Sequence, residues 1–252
     1  MRFRLPARVL ALVLVVLGIG AVGVVLGRGP DLPAQLPPAV RARIQPVTEN
    51  ASLAVKVPGE PFVARREVFE YLLDHPEFAS HVARMLKYAR YKIWRTPTGL
   101  GLDDGWGTVG TFELVHRAEG LRLMQARGVY QHKILPDIHG DAVVLIDYTV
   151  QPAAPEGKSL ISPTVAGYVK LDSRLLTIAT KVAASAATSK GEKEARRLVR
   201  VFAKATSAVE ADPAGVIERL RQRPDVPAAE LEEFRTLLNV APGVPPAGQA
   251  SR

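Results

Sequence analysis

The stretch Glu192–Ala211, EKEARRLVRVFAKATSAVEA, decides the fold. At about 100° per residue, Ala195, Leu198, Val199, Phe202, Thr206 and Val209 fall on one stripe, and Lys193, Arg196, Arg197, Arg200 and Lys204 fall on the opposite one. The pattern predicts an amphipathic helix with a basic back. The segments before it have a period of two, so its apolar stripe is expected to pack on the sheet that they form.

Working outward toward the N-terminus, Ser52–Val57 alternates and stops at Pro58-Gly59, which predicts a first strand. Pro61 suits a first helical position, and Phe62, Val68, Phe69, Leu72 and Leu73 continue at helical spacing to Asp74. His75-Pro76 interrupts, and Phe78, Val82, Met85, Leu86 and Ala89 predict a second short helix. Strands follow over Tyr91–Arg95, Leu100–Leu102 (a separate strand or part of the next), Trp106–His116, Leu121–His132, Asp141–Val150 and Ser159–Leu171. Turn residues separate them at Pro97-Thr98-Gly99, Asp103-Asp104-Gly105, Glu119-Gly120 and Pro152–Gly157. Short turns between consecutive strands predict an antiparallel meander, and Pro163 marks the last strand for an edge or a bulge.

Ahead of the amphipathic helix, Leu175, Ile178, Ala179, Val182 and Ala186 share a stripe about 180° out of phase with that of 195–209. One straight helix cannot bury both stripes on one sheet. The expectation is therefore two helices, Arg174–Ser189 and Glu192–Ala211, broken at Lys190-Gly191. The first of these is a lid over a cavity, a membrane-facing flap or a second packing helix. Beyond Ala211, residues 212–240 predict two short peripheral helices, and 241–252, APGVPPAGQASR, a disordered tail.

At the other end, Val9–Gly27 is 19 residues without a charge, the length that just crosses about 30 Å of hydrocarbon. Arg2, Arg4 and Arg8 precede it and Arg28 follows, so the positive-inside bias places the N-terminus in the cytoplasm. Residues 1–28 are read as a signal anchor, with a cleaved signal peptide as the alternative. The prolines Pro30, Pro33, Pro37, Pro38 and Pro46 make 29–48 an extended tether, and 49–211 is the folded domain. The expected place is a bacterial inner membrane, single-pass, with the domain periplasmic or extracellular.

Charge excludes one class of partner. The net charge is +8, but without the four arginines of 1–28 the rest carries 29 basic and 25 acidic residues, a dispersed +4 that does not argue for nucleic acid. The chain has no cysteine, which excludes disulfides, thiolate metal sites and a cysteine nucleophile. No HExxH, GxSxG, phosphate loop or dinucleotide fingerprint is present, and no cofactor is implied. Asp137, His139 and Asp141 in LPDIHGD offer metal-ligand or general-base types, although Pro136 and Gly140 place them in a loop. An enzyme built on them would be cyclase- or hydrolase-like. His116 and His132 read as lone histidines at strand ends, and the basic helix back reads as a solvated face or a contact for anionic headgroups.

A strand, two short helices, a curved antiparallel meander and a long C-terminal helix form the helix-grip order. Over about Ser52–Ala211 the chain resembles the START-like superfamily, which includes polyketide cyclases and lipid-transfer domains. The closing strand TVAGYVKLD and the helix EKEARRLVRVF carry the resemblance most clearly. It implies an α+β fold whose sheet and helix enclose an apolar cavity for a hydrophobic ligand. Trp94, Trp106, Phe112, Met124, Tyr130, Tyr148, Tyr168, Leu198 and Phe202 are the residues expected to line it, each otherwise a plain core residue. Two functions from different classes follow: binding or carrying a lipid near the bilayer, or serving as a protein–protein module of a cell-envelope complex. A continuous apolar cavity of about 300 Å³ or more favours the first, a filled core with an exposed apolar patch the second.

Overall fold

A computed structural model describes residues 32–131, 137–154, 157–172 and 181–241. The expected anchor of 1–28, residues 174–180 of the expected first helix and the expected tail from 242 lie outside them. Among the described residues no helix is long and apolar enough to cross a membrane. The described chain is α+β, a curved antiparallel eight-stranded sheet with a long helix toward the C-terminus.

The strands are β1 (Leu53–Pro58), β2 (Phe62–Ala64), β3 (Lys92–Thr96), β4 (Gly99–Asp103), β5 (Thr108–Ala118), β6 (Leu121–Tyr130), β7 (Ile138–Ala153) and β8 (Lys158–Leu171). They run in the order β1-β8-β7-β6-β5-β4-β3, with β2 also paired to β8. The meander expected from the turn residues is thus present, and Leu100–Leu102 belongs to a strand of its own. The chain leaves β1 at Pro58, bonds Gly59 N–H to the Pro163 carbonyl at 2.8 Å, and re-pairs as β2 with Ile161–Ser159. Pro163 therefore faces the gap between two short edge strands, where its missing donor is tolerated. Gly59 is required there, because a Cβ would sit 2.5 Å from Val199 Cγ1 of the helix that covers this corner. Phe62 starts no helix: helix α2 spans Arg66–Asp74, and α3 spans Pro76–Met85 with Pro76 at its first position.

The sheet is covered on both faces. On the inner face, Ala142, Val144, Ile146 and Tyr148 of β7 join Phe69, Leu72, Phe78 and the stripe of α4 (Lys181–Ala211) in the main core. On the outer face, Val143 and Leu145 of the same strand meet Leu121, Leu123, Tyr168, Ile44 and Val47 in a second cluster. Ile44 and Val47 come from α1 (Pro38–Thr48), so the second half of the expected tether is a helix packed on the sheet. Proline is tolerated at its first position, and Val40, Ile44 and Val47 recur at helical spacing within the proline-rich composition.

The stripe of α4 is buried as expected, with Ala195, Thr206 and Val209 fully inaccessible, while Lys193, Arg196, Arg200 and Lys204 are exposed. The expected break is absent. One helix runs from Lys181 through Lys190-Gly191 to Ala211. A single glycine costs a helix about 1 kcal/mol, which the alanine-rich segment before it and the buried stripe after it outweigh. The out-of-phase stripes need not conflict either. Thirty-one residues span about 46 Å, so the two ends of α4 need not meet the same surface.

The last two helices, α5 (Pro213–Arg221) and α6 (Ala228–Leu237), are not peripheral. Val216, Leu220 and Phe234 have no exposed surface and belong to the main core. Asp212 caps α5 by accepting from Gly215 N–H at 2.9 Å.

Candidate functional site

The fold separates the residues expected to line one cavity. Phe112, Met124, Tyr148, Leu198 and Phe202 share the inner core, with Tyr130 packed at its margin. Tyr168 points to the opposite face and is buried beneath α1. Trp94 also leaves the core: Ile93 beside it is buried inward, and the indole lies outside across Gly101, where a Cβ would fall 2.4 Å from its Cε2. Trp106 sits between Gly105 and Gly107 in the turn joining β4 to β5, with the Arg90 guanidinium 5.4 Å from its ring centroid. Where the inner residues meet α4, between Phe62, Phe69, Leu198 and Phe202, the remaining space is about 10 Å³. That is room for about one water and none for an acyl chain.

Asp137, His139 and Asp141 are not drawn into a site. β7 begins at Ile138, so most of the expected loop is strand. His139 is exposed, and Asp141 stands 3.9 Å from Arg127 across the β6–β7 pair. No cluster of three or more His, Cys, Asp or Glu suited to a metal occurs among the described residues. His116 lies within β5 beside a register shift, and His132 is outside the described residues.

The larger concavity is a surface groove of about 410 Å³ along β3, one end of the strand order. Glu77, His81 and Arg84 of α3 form one wall, one helical face by their spacing. Lys92, Trp94 and Arg95 of β3 form the other, and Asp225, Pro227 and Glu230 close it where α6 begins. Ser80 pins α3 to the strand, donating to the Glu77 carbonyl at 2.8 Å and accepting from Ile93 N–H at 3.3 Å.

Two carboxylates converge on one guanidinium here. Arg95 donates to Glu230 Oε1 at 3.0 Å and pairs with Glu77, which is only 5% exposed. Glu230 Oε2 is buried without a hydrogen-bond partner among the described residues. Asp225 has partners in hand: Arg84 at 2.8 Å and Arg223 at 3.3 Å. Burial disfavours its ionised form, but those two guanidinium groups outweigh the burial and hold its carboxyl down at about 2.

His81 is pushed down from 6.5, chiefly by burial and further by Arg84 and Arg223, against the pull of Asp225 at 3.5 Å. Its imidazole is therefore neutral in the folded protein at neutral pH. Below about 6.5 the unfolded chain takes up a proton that the folded one resists, so stability falls as pH drops from there. Urea midpoints at pH 7.5 and 5.5 are expected to show a smaller loss in His81→Gln than in the parent protein. Asp225 has the same sign in a lower window: its contribution is complete above 3.8 and disappears as pH falls toward 2.

Lone acids and bases on α3, β3 and α6 gave no sequence motif for this groove, and the docking that joins them is long-range. The partial signal was Arg95, two residues from the inward Ile93 and so on the side of a strand that should be apolar.

No protein-family model matches the chain, and no curated protein matches it. Among solved structures, a conserved protein from Geobacillus kaustophilus is similar at 13% identity and a TM-score of 0.36, over 60% of this chain and 93% of that one. A hypothetical protein from Helicobacter pylori is similar at 11% identity and a TM-score of 0.34, over 61% of this chain and 86% of that one. Likeness at this level carries no argument about function.

Proposed function

We propose that the chain is a membrane-tethered, START-like interaction module of the bacterial cell envelope, which binds a protein partner at its surface. The observation that carries this reading is the contrast between about 10 Å³ at the grip of α4 and about 410 Å³ in the groove beside β3. The helix-grip order and the gripping stripe of α4 favour the START-like relation. The uncharged 19 residues Val9–Gly27, flanked by arginines on the N-terminal side, favour an inner-membrane anchor with the domain exported. Carriage of a lipid is the competing use of such a fold. It needs on the order of 300 Å³, and Phe69, Leu198 and Phe202 fill the place where that volume would be.

Native mass spectrometry of the full chain released from detergent tests this. The expected spectrum is the bare chain, unchanged in Phe202→Trp, which would fill the residual space. A lipid retained one to one, and lost in Phe202→Trp while the fold persists, would make the chain a carrier and overturn the interaction reading.

A further inference from the structure

We infer that the groove beside β3 receives an extended peptide of the partner, added as a strand to the free edge of β3 and carrying a lysine or arginine that reaches Glu77 and Glu230. The inference rests on the interaction-module reading and names the kind of partner that reading calls for.

Three observations converge on this occupant. The first is the edge itself. β3 pairs with β4 on one side, and no strand of the described chain pairs on the other. Ile93 spends its N–H on Ser80 Oγ of α3, so that N–H faces away from β4 and this side of the strand is capped at Ile93, lying open only from there toward Pro97. Alternation in an antiparallel pair turns the backbone of Arg95, two residues on, to the same free side. An extended segment laid there gains main-chain hydrogen bonds, the usual basis of strand addition. Pro97 limits the addition to a short one.

The second observation is the apolar wall. Trp94 is 47% exposed and lies flat over Gly101, giving alternate side chains of a peptide an aromatic surface to cover.

The third is charge. Among the described residues, Asp225 is matched by Arg84 and Arg223, whereas Glu77 and Glu230 share Arg95 alone, and Glu230 Oε2 lacks a donor. A buried carboxylate oxygen without a donor is costly, and an ammonium or guanidinium from a ligand supplies the missing one. The groove as a whole is not anionic, because Lys92 stands exposed about 10 Å along the strand. One placed cation, rather than a run of them, is what the site selects.

The test is a displayed library of random heptapeptides panned on the full chain in nanodiscs. Enriched sequences are expected to alternate β-forming residues with a single lysine or arginine. A synthetic peptide of the leading sequence should shift the Trp94 emission in a Trp106→Phe background. Its affinity should fall tenfold or more in Glu230→Gln, a near-isosteric change whose fold is checked by circular dichroism. N-methylating one alternate set of its amides should abolish binding, and methylating the other set should not. No enrichment, enrichment without a basic residue, equal binding to Glu230→Gln, or indifference to both methylations would each overturn the proposal. Any of these without a retained lipid leaves the interaction module standing through another surface. A retained lipid removes that module reading itself.

Discussion

Replacing Arg122 with alanine is expected to destabilise the fold by about 3–5 kcal/mol, the usual cost of stranding one member of a buried ion pair. Arg122 is on the inner face of β6 and only 3% exposed. Its Nε and Nη2 both donate to the Asp74 carboxylate, the second at 3.1 Å, and Nη1 donates to the Ala118 and Leu121 carbonyls at 2.8 and 3.0 Å. The guanidinium lies 5.8 Å from the Tyr148 ring centroid, and the Tyr148 hydroxyl donates to Glu70 at 2.8 Å. Burial alone would lower the Arg122 pKa, but Asp74 and its neighbours outweigh it and raise it.

Asp74 is the last residue of α2, where a carboxylate meets the negative end of the helix dipole. Arg122 relieves that conflict and ties α2 to the sheet in one contact. Urea unfolding checks the cost, and two further variants identify its origin. Arg122→Lys keeps the charge but loses the two-pronged geometry, so an intermediate loss is expected. Arg122→Leu combined with Asp74→Leu should recover more than half of the loss, because no unpaired charge is left behind. A loss below about 1 kcal/mol in Arg122→Ala would mean that Arg117, 3.2 Å from Asp74, suffices for the carboxylate.

This pair also shows where the sequence is legible. Arg122 lies in LRLMQARG, where alternation alone assigns it to the same face as Met124 and Ala126. A charge on that face announces a buried partner, but nothing local says the partner is 48 residues back, at the end of α2. The meander from β3 to β8 and the α4 stripe were readable because both rest on local periodicity and turn chemistry, whereas the pairing of β1 and β2 with β8 was not. What escaped were dockings between distant segments. The unbroken run AVVLI at 142–146 in β7 signals a strand covered on both faces, and the cover on the outer one proved to be α1. Composition hid that helix, since its prolines stand near its start or leave the Ile44–Val47 stripe intact. The supposed cavity residues scattered for a related reason. Aromatic identity does not fix the face, and in β8 the pairing of Tyr168 with Val143 puts both under α1.

Phe234→Ala carries the other large expectation, a loss of about 3–5 kcal/mol. The ring has no exposed surface, stacks on Tyr71 at 5.1 Å and meets the edge of Phe78 at 4.9 Å between centroids. It joins α6 to the two helices that follow β2, so its removal opens a void shared by three elements rather than a gap at the surface. Polar ties to α6 remain without it, from the Tyr71 hydroxyl to the Glu230 carbonyl at 3.2 Å, from Arg65 to the Leu237 carbonyl at 2.6 Å and from Arg95 to Glu230. Among the apolar contacts, however, Leu231, Leu237 and Leu238 do not fill the space of the ring.

Hydrogen exchange distinguishes two ways in which the loss could appear. If α6 belongs to the same cooperative unit as the sheet, amides of β7 and of α6 lose protection together. If α6 opens by itself, its amides alone approach free exchange while those of β7 hold. The ring contacts to α2 and α3 argue for the first. A variant that unfolds within 1 kcal/mol of the parent would show that the helices collapse onto the void. Because α6 also presents Glu230 to the groove beside β3, the same variant is expected to weaken peptide capture there, and Tyr71→Phe, which keeps the stacked ring, is expected to preserve it.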